Sequence, residues 1–69
     1  MATVKVIELI GSSPKNFQEA AENALTEAVK TLKHISGMEV VGWNASVKEG
    51  KIAEFRAVVK VAFVVHGEL

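Results

Sequence analysis

The segment from Lys51 to Val65 constrains this chain most, because it predicts a long β-strand with apolar residues on both faces. On one face every side chain is apolar: Phe55, Ala57, Val59, Val61, Phe63 and Val65. The other face mixes apolar and basic side chains: Arg56, Val58, Lys60, Ala62 and Val64. A helix can cover the first face. The apolar part of the second face needs a cover that so small a chain cannot supply, and a second copy of the chain could supply it.

Size adds to this constraint. The chain has 69 residues and no cysteine, so we predict a single domain over residues 1–69 without disulfides or thiolate metal sites. One core in so short a chain rarely contributes more than ~3–5 kcal/mol of stability. Association of several copies is therefore the expected source of further stability.

Charge and hydropathy narrow the classes of function. The formal net charge is zero, so neither nucleic acid nor an anionic membrane has an electrostatic reason to bind. No apolar run approaches the ~20 residues of a membrane helix, and no signal peptide is visible. We therefore expect a cytoplasmic protein.

The segments before Lys51 predict two further strands and one helix. Residues 3–10 are rich in β-branched side chains and predict the first strand. Apolar residues recur at steps of three and four from Phe17 to Ile35, which predicts a helix of roughly 20 residues. Many of these apolar residues are alanines, so a sheet can approach the helix closely.

Both ends of this helix carry sequence signals. Asn16 followed by Glu19 fits an N-cap with its reciprocal acid, and Ser13 is the alternative cap. Gly37 is expected to end the helix as its C-terminal glycine.

A tight hairpin is expected between the second strand, predicted over residues 38–47, and the third. Glu49 and Gly50 are the predicted loop residues, and this choice fixes the register. The facing pairs expected on the helix side are Met38–Val61, Val40–Val59 and Asn44–Phe55. Those expected on the other side are Glu39–Lys60, Val41–Val58 and Trp43–Arg56. Apolar residues then face apolar ones and acid faces base, although a bulge at Gly50 would shift the register.

Together these elements predict an α+β fold with the element order β-α-β-β. Strands 1 and 2 are joined through the helix, and strands 2 and 3 are joined by the hairpin. The simplest sheet places strand 3 in the middle, antiparallel to both neighbours, in the order 1-3-2. The sheet wraps around the one long helix.

A β-α-β-β chain of this length that begins "KVIELIGSSPKNFQEAAENALTEAVKTL" resembles the dodecins. The quoted segment is similar to the family's first strand, its Gly-Thr/Ser-Ser turn and its Ala-rich helix. "GMEVV" lies where the family has a Trp-x-Glu-Val segment, and "FRAVVKVAFVV" lies where it has an aromatic-Gln-Val strand. The resemblance covers nearly the whole chain.

The resemblance implies a hollow homododecamer, built from trimers, that binds a small molecule. Dodecins bind flavins such as FMN or riboflavin, which they are thought to store, and they are not known as enzymes. The flavin ring lies between Trp side chains of subunits related by a twofold axis, and a Gln on the last strand bonds its polar end. The implied cofactor-binding positions are Gly37 in place of the Trp, Arg56 in place of the Gln, and Glu39, which matches the family's Glu.

These two replacements predict weakened flavin binding. Gly37 offers no aromatic face, and stacking contributes ~0.5–1.5 kcal/mol per aromatic pair beyond area burial. Trp43 lies six strand residues from Gly37, or ~20 Å, so it cannot fill the place within one subunit. Arg56 only donates hydrogen bonds, whereas Gln donates and accepts, so Arg56 favours a phosphate or carboxylate.

Arg56 and Trp43 also admit interpretations without a ligand. Arg56 can stack on Trp43 across the hairpin or pair with a Glu of another subunit. Trp43 also fits an interface anchor. No His–Glu pair has metal-ligand spacing within one element, so we predict no metal site. Glu22 could hold a calcium or magnesium ion together with Asn23 or with a symmetry-related copy, which depends on assembly.

Three hypotheses about function follow. The first is a dodecin-like homododecamer that sequesters a flavin, weakly or in an altered pose. The second is a dodecin-like shell without flavin, which has a structural role or binds another ligand such as an anion or a metal ion. The third is a small enzyme or transcription-linked module that shares only the β-α-β-β order. No catalytic residue is predicted, because the sequence has no Gly-rich phosphate loop, nucleophile elbow or zinc motif.

Overall fold

A computed structural model describes residues 3–66 of the chain. It contains β1 (Thr3–Ser13), α1 (Phe17–Thr31), β2 (Ile35–Lys48) and β3 (Lys51–His66). The three strands form one antiparallel sheet in the order β1-β3-β2. The predicted fold class and strand order are confirmed.

One face of the sheet, which we call the helix face, packs against α1 and contains the core. The buried side chains of β3 are Ala57, Val59, Val61 and Phe63, and those of α1 are Ala20, Ala21, Ala24 and Ala28. The predicted apolar face of β3 is therefore the core face. Its two ends are less covered, since Phe55 is half-buried and Val65 is exposed.

The opposite face, which we call the open face, has no covering element among the described residues. Strand alternation places there Val4, Val6, Glu8, Ile10 and Ser12 of β1 and Arg56, Val58, Lys60, Ala62 and Val64 of β3. Val6 is 53% exposed and Ile10 is 65% exposed. A row of β-branched side chains on the open face of the sheet is therefore in contact with solvent.

Helix and sheet approach each other closely at Gly11, on the helix face of β1. A Cβ atom added at Gly11 would collide with the carbonyl oxygen of Ala20 and would lie 2.7 Å from the Cβ of Ala24. Glycine on the strand and alanine on the helix therefore permit a contact that no larger pair of residues allows. The expectation that the alanine-rich stripe brings the sheet close is confirmed.

The start of α1 follows the sequence signals. Asn16 is the N-cap, and its side-chain Oδ1 accepts a hydrogen bond of 2.7 Å from the backbone N–H of Glu19. Ser13, the alternative cap, is buried and donates its hydroxyl hydrogen to the Glu19 carboxylate. The Glu19 carboxylate therefore bonds the hydroxyl of Ser13, which precedes the N-cap.

The prediction that Gly37 ends the helix is wrong. α1 ends at Thr31, the Leu32 cap is extended, and the left-handed residue that redirects the chain is His34 with φ 61°. The carbonyl of His34 accepts a hydrogen bond from the Val64 N–H, so the chain already pairs with β3 before it reaches Gly37. Leu32 and Ile35 still pack against the core, which is why the helical periodicity extends past the true end of the helix.

The predicted hairpin turn is confirmed. Glu49 and Gly50 both have positive φ, 53° and 75°, as in the two-residue turns that match the twist of paired strands. The pairs Met38–Val61, Glu39–Lys60 and Val40–Val59 follow the predicted register. The register shifts by one residue at Val40/Gly42 and shifts back at Ser46/Val47, and a further shift at Ile35/Gly37 pairs Ile35 with Phe63. A shift was anticipated only at Gly50.

We expect the substitution Gly11→Ala to lower the free energy of unfolding by about 1–3 kcal/mol, the usual cost of overpacking a tight contact. The added methyl must displace the backbone of α1, because the atom that it meets is a carbonyl oxygen. Urea unfolding followed by circular dichroism measures the loss.

Gly42→Ala is the matched control, since a Cβ at Gly42 meets nothing within 4 Å. Its effect is expected to stay within about 0.5 kcal/mol. Equal stabilities of the two variants would contradict the close approach at Gly11.

Candidate functional site

Gly37 lies within β2, opposite Ala62, and is exposed. A Cβ atom built on it meets nothing within 4 Å, and its φ lies outside the left-handed region that favours glycine. Neither backbone conformation nor crowding within the chain requires glycine at this position. The place where the resemblance expects an aromatic side chain is an open slot on the open face.

Glu39 lies two residues further along β2 and on the same side of the strand as Gly37. It pairs with Lys60 of β3, as predicted, and both side chains are exposed. These two charged residues lie side by side on the open face, between rows of apolar residues.

Arg56 lies on the open face of the central strand and is half-buried. It is opposite Ser12 of β1 on one side and Asn44 of β2 on the other. Its Nε–H donates a hydrogen bond of 2.7 Å to the side-chain Oδ1 of Asn44. The guanidinium is therefore held in a defined orientation across the sheet.

Trp43 does not lie beside Arg56, and the prediction of a Trp43–Arg56 pair is wrong. The register shift leaves Val41 as an additional residue in β2, so Trp43 pairs with Ala57 and lies on the helix face. The proposed stacking of Arg56 on Trp43 is excluded for the same reason. The predicted pairs Asn44–Phe55 and Val41–Val58 are also wrong, since Phe55 pairs with Ala45 and Val58 with Gly42.

Trp43 instead belongs to an aromatic cluster at the start of α1. Its ring lies edge-on to Phe17, with the ring centroids 5.4 Å apart. Phe17 also packs edge-on against Phe55 at 4.9 Å. Trp43 remains 51% exposed, so the cluster leaves a large aromatic surface in contact with solvent.

One chain places the three predicted contact residues on one face but does not bring them together. Gly37 and Glu39 are two strand residues apart, which is about 7 Å. Gly37 pairs with Ala62, and Ala62 is six residues from Arg56 along β3, which is about 20 Å. A small ligand that touches both ends of this face within one chain would have to span that distance.

Asn44 and Ser12 are the polar neighbours of Arg56 that the sequence interpretation missed. An uninterrupted register predicts Asn44 on the helix side, whereas the shift in β2 places it opposite Arg56 on the open face. Gly42 was the available signal, since an isolated glycine within a strand pattern often marks a bulge. The sequence predicts that the first strand ends at residue 10 and that Ser12 lies in the following turn, whereas β1 continues to Ser13.

A cleft of about 370 Å³ opens elsewhere, between α1 and the outer edge of β1. Its lining includes Leu9, Gly11, Asn23 and Glu27, and none of Gly37, Glu39 and Arg56 contributes to it. Over residues 3–66 no cluster of three His, Cys, Asp or Glu side chains could hold a metal ion. Within the same range no helix is long and apolar enough to cross a membrane.

The position of Trp43 can be tested by its fluorescence, because it is the only Trp in the chain. We expect Phe17→Leu to shift Trp43 emission to the red, since loss of the Phe17 ring admits water to the indole. The stability loss should stay below the about 3–5 kcal/mol of a fully buried Phe→Ala change, because Phe17 is only half-buried.

Arg56→Leu serves as the control. It should leave the emission unchanged, because Arg56 lies on the opposite face. A shift with Arg56→Leu and none with Phe17→Leu would place Trp43 on the open face.

The comparisons with known proteins agree with one another. The family model described as Dodecin matches residues 3–66. A dodecin of Thermus thermophilus is 34% identical over 59 residues, which is 86% of this chain and 86% of that protein.

Solved structures are similar to this chain over nearly its full length. A dodecin from Streptomyces coelicolor is 28% identical, with a TM-score of 0.91 over 97% of this chain and 96% of that one. The calcium dodecin of Mycobacterium tuberculosis, described as calcium chelating, is 29% identical, with a TM-score of 0.82 over 97% and 96% of the two chains.

Proposed function

The chain belongs to the dodecin family, and from this premise we propose that it forms a hollow homododecamer, built from trimers, that sequesters a small molecule. By family descent the ligand is a flavin, FMN or riboflavin, stored in the cytoplasm and held more weakly than an aromatic pocket would hold it. Gly37, Glu39 and Arg56 are the proposed contact residues. Dodecins are not enzymes, and we assign no catalytic role.

The open face is the observation that carries this proposal. Val4, Val6 and Ile10 are each more than half exposed on it, although they flank the central strand of the only sheet in residues 3–66. Each such side chain contributes about 1.5–3 kcal/mol when it is fully removed from water. Further copies of the chain, which present the same face, can bury these residues.

The shape of the subunit supports the same conclusion. The radius of gyration is 14.2 Å, whereas a compact chain of this length has about 11 Å. The longest dimension is 52 Å, although the 15 residues of α1 extend over only about 22 Å. The sheet therefore extends well beyond its helix, as is typical of a subunit that completes its packing in an assembly.

A site shared between copies also accounts for the spacing of the contact residues. Gly37 and Arg56 are about 20 Å apart within one chain, so a compact ligand cannot touch both in the same subunit. Two copies that face each other can bring Gly37 of one subunit near Arg56 of the other. We therefore propose a binding site between subunits.

The side chains at this site account for weak binding of a flavin. The slot at Gly37 removes the stacking surface, and Arg56 cannot accept a hydrogen bond from a ring N–H. The Nε–H of Arg56 is in addition already bonded to Asn44, so fewer of its donors remain available.

The test restores the missing groups. Gly37→Trp together with Arg56→Gln should raise the affinity for riboflavin and FMN at least tenfold, which is about 1.4 kcal/mol. The reason is that stacking on Trp from two subunits returns, and the open slot at Gly37 accepts a larger side chain. Quenching of flavin fluorescence on titration measures the affinity.

The matched control carries Gly42→Trp with Arg56→Gln, because Gly42 lies on the same strand and the same face and also has open space above it. This control should gain little. If neither variant gains affinity and the natural protein does not quench added flavin, the flavin proposal is wrong, and a dodecin-like shell without flavin remains.

A further inference from the structure

Three polar side chains form a continuous row across the open face. This row, which we call the polar row, consists of Ser12 on β1, Arg56 on β3 and Asn44 on β2, paired directly across the sheet. Neighbouring strands lie about 4.8 Å apart, so a single small group can contact more than one member of the row. The row is built by the strand register and does not depend on a flexible loop.

The guanidinium of Arg56 is oriented but not neutralised. Asn44 accepts from Nε–H, which leaves the four N–H groups of the two Nη atoms as donors. No carboxylate among residues 3–66 lies within 4 Å of this guanidinium, and the next acid along β3, Glu54, lies two residues away on the same face. A half-buried cation with a fixed plane and free donors is suited to bind an oxyanion at two points.

Space for the rest of a ligand lies beside the polar row. The adjacent row across the sheet is Ile10, Val58 and Gly42, and a Cβ at Gly42 would meet nothing within 4 Å. This row offers an apolar floor with an opening above the glycine. A molecule with an anionic end and an apolar body can therefore contact both rows at once.

We propose that the polar row binds the oxyanion of a small molecule, a phosphate or a carboxylate group, through Arg56 held by Asn44. This inference rests on the proposed function, because it assumes a ligand chamber over the open face. It changes the expected ligand class from a neutral ring with alternating donors and acceptors to an acceptor-only anionic group. The hydroxyl of Ser12 is a second donor to the same group.

The experiment is a calorimetric titration of the assembled protein with inorganic phosphate, with acetate and, separately, with riboflavin. Phosphate and acetate distinguish the two oxyanions, and riboflavin reports on the flavin function alone. We expect saturable binding of at least one anion, roughly tenfold weaker in Arg56→Gln because the charge-assisted hydrogen bonds are lost. Asn44→Ala should weaken binding less, because it leaves the charge but frees the guanidinium.

Lys60→Gln is the matched control, since it removes one positive charge from the same strand and the same face, four residues away. It should change anion affinity by less than about twofold, because screening limits the reach of an exposed charge. Saturable anion binding without riboflavin binding would support this inference and contradict the flavin proposal. Riboflavin binding without anion binding would do the reverse.

Two results would overturn the inference. One is the absence of heat with both anions. The other is equal anion affinity in Arg56→Gln and Lys60→Gln. If Arg56→Gln breaks the assembly while Asn44→Ala binds anions as the natural protein does, Arg56 pairs with a carboxylate of another subunit, and the proposal is also wrong.

Discussion

A three-stranded sheet has two faces, and α1, the one helix in residues 3–66, covers only one of them. The rest of the structure depends on this inequality. On the helix face, glycine at position 11 and the alanines of α1 allow a close contact that buries Val59 and Val61 completely. The core obtained in this way is thin, because alanine side chains bury little area. On the open face, β-branched side chains remain in contact with water, and this is the surface that self-association can bury.

The additional residue at Val41 decides what the open face presents. It divides β2 into two parts with opposite alternation, so Gly37 and Glu39 share the open face with Asn44, while Trp43 turns to the helix face. An uninterrupted strand would have placed Trp43 beside Arg56 and removed Asn44. The bulge therefore gives Arg56 a hydrogen-bond partner in place of an aromatic one, and the polar character of the site follows from it.

The sequence predicts the fold well because its signals are local and redundant. The alternation from Lys51 to Val65, the apolar stripe of α1 and the Glu49–Gly50 turn each indicate the same arrangement. Strand order followed from connectivity alone. The end of α1 was predicted too late, because Leu32 and Ile35 continue the apolar period after the helix has stopped. The boundary shows in the backbone, where Leu32 is extended and His34 is left-handed and bonded to Val64.

The candidate site was less predictable from the sequence. The positions of Gly37, Glu39 and Arg56 came from the resemblance, and their roles stay predictions. Their neighbours depended on the register, and a shift of one residue reverses the face of each side chain. Gly42 signalled the shift, yet the sequence offered no means to choose between a bulge there and one at Gly50.

The claim on which this account rests is that the open face is covered by further copies of the chain. Light scattering coupled to size exclusion at micromolar concentration measures this most directly. The account predicts one particle with a mass of twelve times the 7.4 kDa of the chain. A stable, compact particle of 7.4 kDa would contradict it, because the valines and the isoleucine of the open face would then stay exposed to water in a stable monomer.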